Sequence, residues 1–182
     1  MKTLSRSDKS TLFNSIRNIP DYPKPGILFK DISTLLNDHA AFSLLIDHLC
    51  NYYQNQHIDF VAGIESRGFI FGAILAYKLN AGFVPIRKPG KLPSQTYQSH
   101  YELEYGTDTL EIHQDAFRGT NAAKILLTDD LIATGGSAQA AIELINQAGG
   151  QCIGACFAVA LHALPGYSAL SKLTPVYSVL DC

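Results

Sequence analysis

Apolar residues recur along this chain with two different periods, and segments of the two kinds alternate. Phe42, Leu45, Ile46 and Leu49 stand at i, i+3, i+4 and i+7 behind Asn37 and Asp38, which predicts a capped helix with one buried face. "IDFVAGI" (58–64) is apolar almost throughout and predicts a buried strand. "ESRG" is a turn, and "FIFGAILAYKL" (69–79) reads as a helix apolar on most sides. "GFVPIR" (82–87) and "KILLTD" (124–129) are further strands. Ala138, Ala141, Ile142 and Ile145 then mark a helix that stops at Gly149-Gly150, a glycine C-cap. "CIGACFAVAL" (152–161) and "PVYSVL" (175–180) close the series. Near-continuous apolar strands alternating with helices predict an α/β fold: a central, mainly parallel sheet with helices on both faces.

The remaining segments break this rhythm. "SDKSTLFNSI" (7–16) reads as a short capped helix. "NIPDYPKPGILFKDIS" (18–33) holds three prolines and a glycine and is expected to be irregular or extended. Residues 88–108 have no sustained period and are too long for a passive connection, so they read as a functional loop or lid. "TLEI" (109–112) is expected to pair as one arm of a hairpin, with Glu111 and His113 as an exposed pair on one strand face. With no repeat, low-complexity tract or linker, residues 1–182 read as a single domain.

Composition narrows the function classes. The 182 residues are 47% hydrophobic, enough for a sizeable core, and a formal charge of −2 supplies no bulk field to steer nucleic acid. The start, "MKTLSRSDKS", has no apolar run behind its basic residues, and no stretch approaches the roughly 18 apolar residues of a membrane helix. A soluble, cytoplasmic protein with no nucleic-acid or membrane partner is expected. Cys50, Cys152, Cys156 and Cys182 have no second Cys or His pair at ligand spacing, and no H-x-x-x-H occurs, so no protein-built metal site is expected. Strand alternation puts Cys152 and Cys156 on one face as small buried thiols.

In such a sheet ligands bind beyond the carboxyl ends of the strands, and two strand-to-helix turns there carry polar chemistry. "GIESRGF" (63–69) has the glycine spacing of a P-loop, but Phe69 stands where that motif needs lysine. "DDLIATGGS" (129–137) opens a helix with a glycine-rich turn, whose amides and dipole attract phosphate. Asp129 and Asp130 directly upstream do not suit phosphate. A carboxylate can accept from a ribose diol, or stabilise positive charge on a sugar ring as a glycosidic bond breaks. With Arg67 as a second anion partner, the set describes 5-phosphoribosyl-1-diphosphate. As a bland alternative, either acid could simply cap the next helix.

At these residues the chain resembles the type I phosphoribosyltransferases. "PDYPKPGILFKDIS", "GIESRGF", "IRKPGKLP", "ELEYG" and "DDLIATGGS" follow in the order of the family's adenine-using branch, from about Pro20 to Ser137. The resemblance implies that adenine and 5-phosphoribosyl-1-diphosphate give AMP and diphosphate with Mg²⁺, the metal held mainly by substrate and water. It implies a hood over the base site (residues 1–36) and a mobile lid (88–108). Ala133, Thr134, Gly135, Gly136 and Ser137 would hold the 5′-phosphate, and Asp129 and Asp130 would address the ribose. Ser66 and Arg67 would meet the diphosphate, across a cis peptide between Glu65 and Ser66, with Arg87, Lys88 and Lys91 as further cations. Phe29 would stack on adenine, and backbone groups of Leu28 and Lys30 would read its edge. Glu104 would manage the proton at the imidazole edge, with Tyr105 beside it. It also implies a homodimer formed around residues 65–79, in which Arg87 reaches the neighbouring subunit's diphosphate.

Three positions depart from the pattern: Lys30 replaces a common arginine, Ala158 a larger aliphatic in the base-pocket wall, and Ala160 a polar residue. A roomier wall leaves xanthine or hypoxanthine open as the base. A non-catalytic phosphoribosyl-diphosphate sensor is the alternative from another class.

Overall fold

The computed structural model describes residues 4–102 and 106–182. Two compact units divide the chain, one running to Tyr53 and the other from Gln54.

In the first unit Ser5 starts helix α1 (Arg6–Asn14) with a capping box: its hydroxyl accepts from Asp8 N and the Asp8 carboxylate accepts from Ser5 N. The proline-rich stretch is extended. Strands β1 (Arg17–Pro20) and β2 (Leu28–Asp31) pair antiparallel, and Arg17 meets Asp31 across the pair at 2.9 Å. Tyr22-Pro23, between them, is a cis peptide. A single helical turn, α2 (Ser33–Leu36), precedes α3 (His39–Tyr53). Asp38 caps α3 by accepting from the amides of Ala40 and Ala41, and Leu45, Ile46 and Leu49 are buried on its apolar face.

The second unit runs β3 (Phe60–Ile64), α4 (Gly68–Lys78), β4 (Gly82–Ile86), β5 (Thr96–Glu102), β6 (Thr107–His113), β7 (Ala123–Ile132), α5 (Gly136–Gln147), β8 (Gly150–Ala160), α6 (Gly166–Leu170) and β9 (Val176–Asp181). Five strands form one sheet in the order β4-β3-β7-β8-β9, every neighbouring pair parallel. Period-two alternation sorts its side chains. Ala62, Ile64, Val84, Ile86 and Leu127 join Ala138, Ala141, Ile142 and Ile145 of α5 in the main core. The opposite face, at Gly63, Phe83 and Thr128, receives α4: a Cβ on Gly72 would sit 2.7 Å from the Phe83 ring. Helices therefore cover both faces, as the strand composition predicts. No helix among the described residues is long and apolar enough to cross a membrane.

Three local readings are corrected. The aperiodic stretch 88–108 contains a strand: β5 pairs with β6 along their whole length. β5 had no visible apolar face because most of it lies outside the core; only Ser99 is fully buried in it. Glu111 and His113 do share a face of β6, but not an exposed one: Glu111 is 4% exposed and the His113 Nε2 is buried. Cys152 and Cys156 do not share a face. Ile125 pairs with Cys152 but Leu126 pairs with Gly154, so a bulge turns the strand over between the two thiols. Cys156 is fully buried, whereas Cys152 is partly exposed beside the α5 core.

Candidate active site

Because β3 and β7 are parallel neighbours, with Gly63 opposite Thr128, their following turns emerge side by side at one sheet end. Glu65, Ser66, Arg67, Asp129 and Asp130 line a cleft of about 270 Å³ there. Glu65-Ser66 is a cis peptide. Gly68 is needed for the close approach of the start of α4 to β7: a Cβ would lie 2.7 Å from Thr128 O and 3.0 Å from Asp129 Oδ1.

The two adjacent acids are not equivalent. Asp130 is 2% exposed, and its Oδ2 lies 2.7 Å from Arg67 Nε, an ion pair without hydrogen-bond alignment. Asp129 Oδ1 accepts from Asp130 N at 2.9 Å. Burial, then the neighbouring Asp130 carboxylate, push the Asp129 carboxyl well above the usual carboxylate range, with Arg67 pulling the other way. The wall residue Glu65 goes in the opposite direction. Burial raises it, but hydrogen bonds from Arg87 Nε and Nη2 (both 3.2 Å) and from Lys88 N (2.9 Å) outweigh that and hold it below its ordinary value.

Ala133, Thr134, Gly135, Gly136 and Ser137 form the second turn, which runs from the end of β7 into α5. Gly135 has φ +84° and no side chain caps the helix start. Such a terminus presents unpaired amides and the positive end of the helix dipole. Gly166, a residue the sequence reading passed over, holds this turn from behind: its N–H donates to Ala133 O at 3.0 Å. Thr134 and Gly136 also border a second cleft of about 280 Å³ with Tyr101 and Glu102 of β5, and Ser99 Oγ ties β5 to Glu143 of α5 at 2.7 Å.

Of the proposed cations, Arg87 and Lys88 are engaged within their own unit. Arg87 pairs with Glu65 and donates to Lys91 O at 3.1 Å. Lys88 Nζ pairs with Asp108 and donates to Tyr101 Oη at 3.2 Å; Lys91 is exposed. Leu28, Phe29 and Lys30 lie on β2 of the first unit. Leu28 is exposed, the Phe29 ring meets Tyr22 edge-on at 5.2 Å, and Lys30 Nζ donates to Asn18 Oδ1 at 2.8 Å. Ala158 and Ala160 are buried in β8. Glu104 and Tyr105 lie outside the described residues. Among those described, no group of three or more His, Cys, Asp or Glu side chains could hold a metal ion.

The model of a family described as "Phosphoribosyl transferase domain" matches residues 31–178. The chain is 59% identical to an adenine phosphoribosyltransferase of Wolinella succinogenes and 58% identical to one of Campylobacter curvus, each over the full length of both chains. Among solved structures, adenine phosphoribosyltransferase from Rhodothermus marinus superposes with a TM-score of 0.90 at 47% identity, covering 98% of this chain and 100% of that one. The Saccharomyces cerevisiae enzyme, solved with an imino-altritol bisphosphate and adenine, gives 0.88 at 39%, covering 97% and 100%. With the fold, the paired turns and these likenesses in agreement, the chain belongs to the phosphoribosyltransferase family, in its adenine phosphoribosyltransferase branch.

Proposed function

We propose that the cleft at the end of β3 and β7 transfers the 5-phosphoribosyl group of 5-phosphoribosyl-1-diphosphate to adenine, releasing AMP and diphosphate in purine salvage. The observation that carries this is the placement of two adjacent acids, Asp130 buried and Asp129 half-buried, between two anion-binding turns. The α5 terminus, residues 133–137, binds the 5′-phosphate through its amides. Ser66 and Arg67 meet the diphosphate. Asp129 and Asp130 take the middle, where the ribose hydroxyls lie and where the ring gains positive charge as the bond to diphosphate breaks. Glu104, with Tyr105, manages the proton at the imidazole edge, and residues 88–108 with their hairpin act as the lid. Phe29 stacks on the base, backbone groups of Leu28 and Lys30 read its edge, and Ala158 lines the far wall of the pocket.

The site suits Mg²⁺ of the kind that keeps its waters. Its oxygen donors are the carboxylates of Glu65, Asp129 and Asp130 and the Ser66 hydroxyl, all hard donors, and Asp130 Oδ2, beside Arg67, is buried without accepting a hydrogen bond. Asp129 and Asp130 are the residues that would face the ion through water, and when bound it neutralises charge on the diphosphate.

The test is AMP formation from adenine and phosphoribosyl diphosphate, with and without Mg²⁺, against hypoxanthine and xanthine. Adenine should be used and the 6-oxopurines not; preferential use of either would reassign the base. In the same assay Phe29→Ala should weaken adenine binding by about 1–3 kcal/mol, the scale of aromatic–base stacking, with phosphoribosyl diphosphate affected much less. Equal weakening of both substrates would make Phe29 a folding residue.

A homodimer completes the reading. Along α4, Ile70, Ala73, Ile74 and Tyr77 stand at i, i+3, i+4 and i+7; Ile70 is 37% and Tyr77 84% exposed. An apolar helix stripe facing water marks an interface. Arg87 supplies the neighbouring subunit's diphosphate with charge, so specific activity should fall on dilution together with the sedimentation coefficient. A fully active monomer would remove the shared site. The cytoplasm is the proposed compartment.

A further inference from the structure

Glu111 is a buried carboxylate with no basic side chain in ion-pair range among the described residues. Both of its oxygens are nevertheless engaged. Oε2 accepts from Gly90 N at 3.1 Å, and Oε1 accepts from Nε2 of Gln98, its cross-strand partner on β5, at 2.7 Å. Its backbone exchanges two hydrogen bonds with Arg87, at 2.7 and 2.9 Å, outside the regular ladder. A single residue therefore grips the segment 87–91 at two points, Arg87 and Gly90.

That segment is a tight turn. Lys88 O accepts from Lys91 N at 3.4 Å, Pro89 takes the second position, and Gly90 has φ +72° at the third, the pattern of a type II turn. It carries Arg87, Lys88 and Lys91, and it borders the cleft through the hydrogen bonds of Arg87 and Lys88 N to Glu65. Three cations on one short turn repel one another. An anionic acceptor aimed at the turn's backbone from inside opposes that repulsion without binding the cationic heads themselves, of which Arg87 is held by Glu65 and Lys88 by Asp108. Burying a carboxylate without a cation is costly, and hydrogen bonds to a carboxylate are about twice as strong as neutral ones. The placement thus secures the turn more firmly than a neutral side chain would.

We propose that Glu111 is a positioning residue for the diphosphate: acting through Gly90 and Arg87, it fixes the cationic turn against the Glu65 wall of the cleft. This rests on the reading of the cleft as a phosphoribosyl-diphosphate site. The experiment compares Glu111→Ala, Glu111→Gln and Gln98→Ala by calorimetric binding of phosphoribosyl diphosphate and by steady-state kinetics. Glu111→Ala should raise Kd and KM for phosphoribosyl diphosphate about ten- to hundredfold, the scale of a lost hydrogen bond to a charged group, while KM for adenine and kcat at saturation stay close to wild type. Glu111→Gln should recover most of the loss, because the Gln98 amide can flip to accept from the new NH₂ while the remaining oxygen serves Gly90. Gln98→Ala leaves Glu111 on Gly90 and should bind phosphoribosyl diphosphate almost normally. The proposal is overturned by unchanged Kd in Glu111→Ala, by equal loss in Gln98→Ala, by parallel loss in both KM values and kcat, or by failure of Glu111→Ala and Glu111→Gln alike to fold. If the wild-type chain itself binds no phosphoribosyl diphosphate, the underlying reading falls and this one with it.

Discussion

Gly166→Ala should reduce kcat/KM for phosphoribosyl diphosphate by about 10²-fold, the scale of a misplacement near 1 Å at a reacting centre, although Gly166 is assigned no contact with substrate. Its φ lies outside the left-handed region, so glycine is not required there by conformation. It is required by space. A Cβ would stand 2.3 Å from Ala133 O, 2.6 Å from Gly135 N and 2.7 Å from Thr134 C. All three are backbone atoms of the phosphate turn, so no rotamer change relieves the clash. Either the turn or the start of α6 must move, and α6 is anchored by Leu170, fully buried in the main core. The turn is the freer partner, since its apex residue Thr134 is exposed. Kinetics with each substrate varied in turn, alongside circular dichroism and the thermal midpoint, check this. A folded Gly166→Ala protein with normal kcat/KM for phosphoribosyl diphosphate would show that the turn does not depend on its support.

How far the sequence reaches is visible in these residues. The sheet is legible because its inner parallel strands are buried along most of their length and so are largely apolar, as in "FVAGI" and "AKILLT". The acids are legible because a charge directly after such a run can only sit at the strand's carboxyl end, where ligands bind. The i, i+3, i+4 spacing located α3 and α5 for the same reason, one buried face each. What stayed hidden depends on partners far along the chain. Gly166 matters through residues 133–135, and nothing around Pro165 points to them. Glu111 is buried because Gly90 and Gln98 satisfy it, and a lone Glu in an alternating strand otherwise reads as exposed. The bulge opposite Ile125 and Leu126 puts Cys152 and Cys156 on opposite faces; Gly154, set inside an otherwise apolar strand, is the one local sign of it. Arg87 read as a cation for substrate; that Glu65 holds it is a fact of the β3–β4 pairing, which brings Ile64 opposite Ile86.

Asp130→Asn should lower turnover by about 10²–10³-fold, the scale of removing one preorganised electrostatic partner of a transition state, with affinity for phosphoribosyl diphosphate changed far less. Asparagine keeps the shape and one oxygen but cancels the charge. Two consequences follow from the geometry. Arg67 Nε, 2.7 Å from Asp130 Oδ2, loses that anionic neighbour, but the Arg67 side chain is 45% exposed and remains able to face the diphosphate, so binding survives. Asp129 loses the neighbouring negative charge that, after burial, does most to raise its carboxyl. Its raised value means that Asp129 is ionised only at higher pH than an ordinary carboxyl. Removing Asp130's charge lowers it, so the acid limb of the residual pH–rate profile should shift to lower pH, while the desolvation contribution remains. The paired measurements separate the roles of the two acids. If turnover falls and the limb shifts down, Asp130 is an electrostatic partner both of the ribosyl cation and of Asp129. If turnover falls and the limb stays, the carboxylate that must be ionised is not Asp129. If turnover is near normal, charge at Asp130 is not used in the chemistry, and the ion pair with Arg67 is structural.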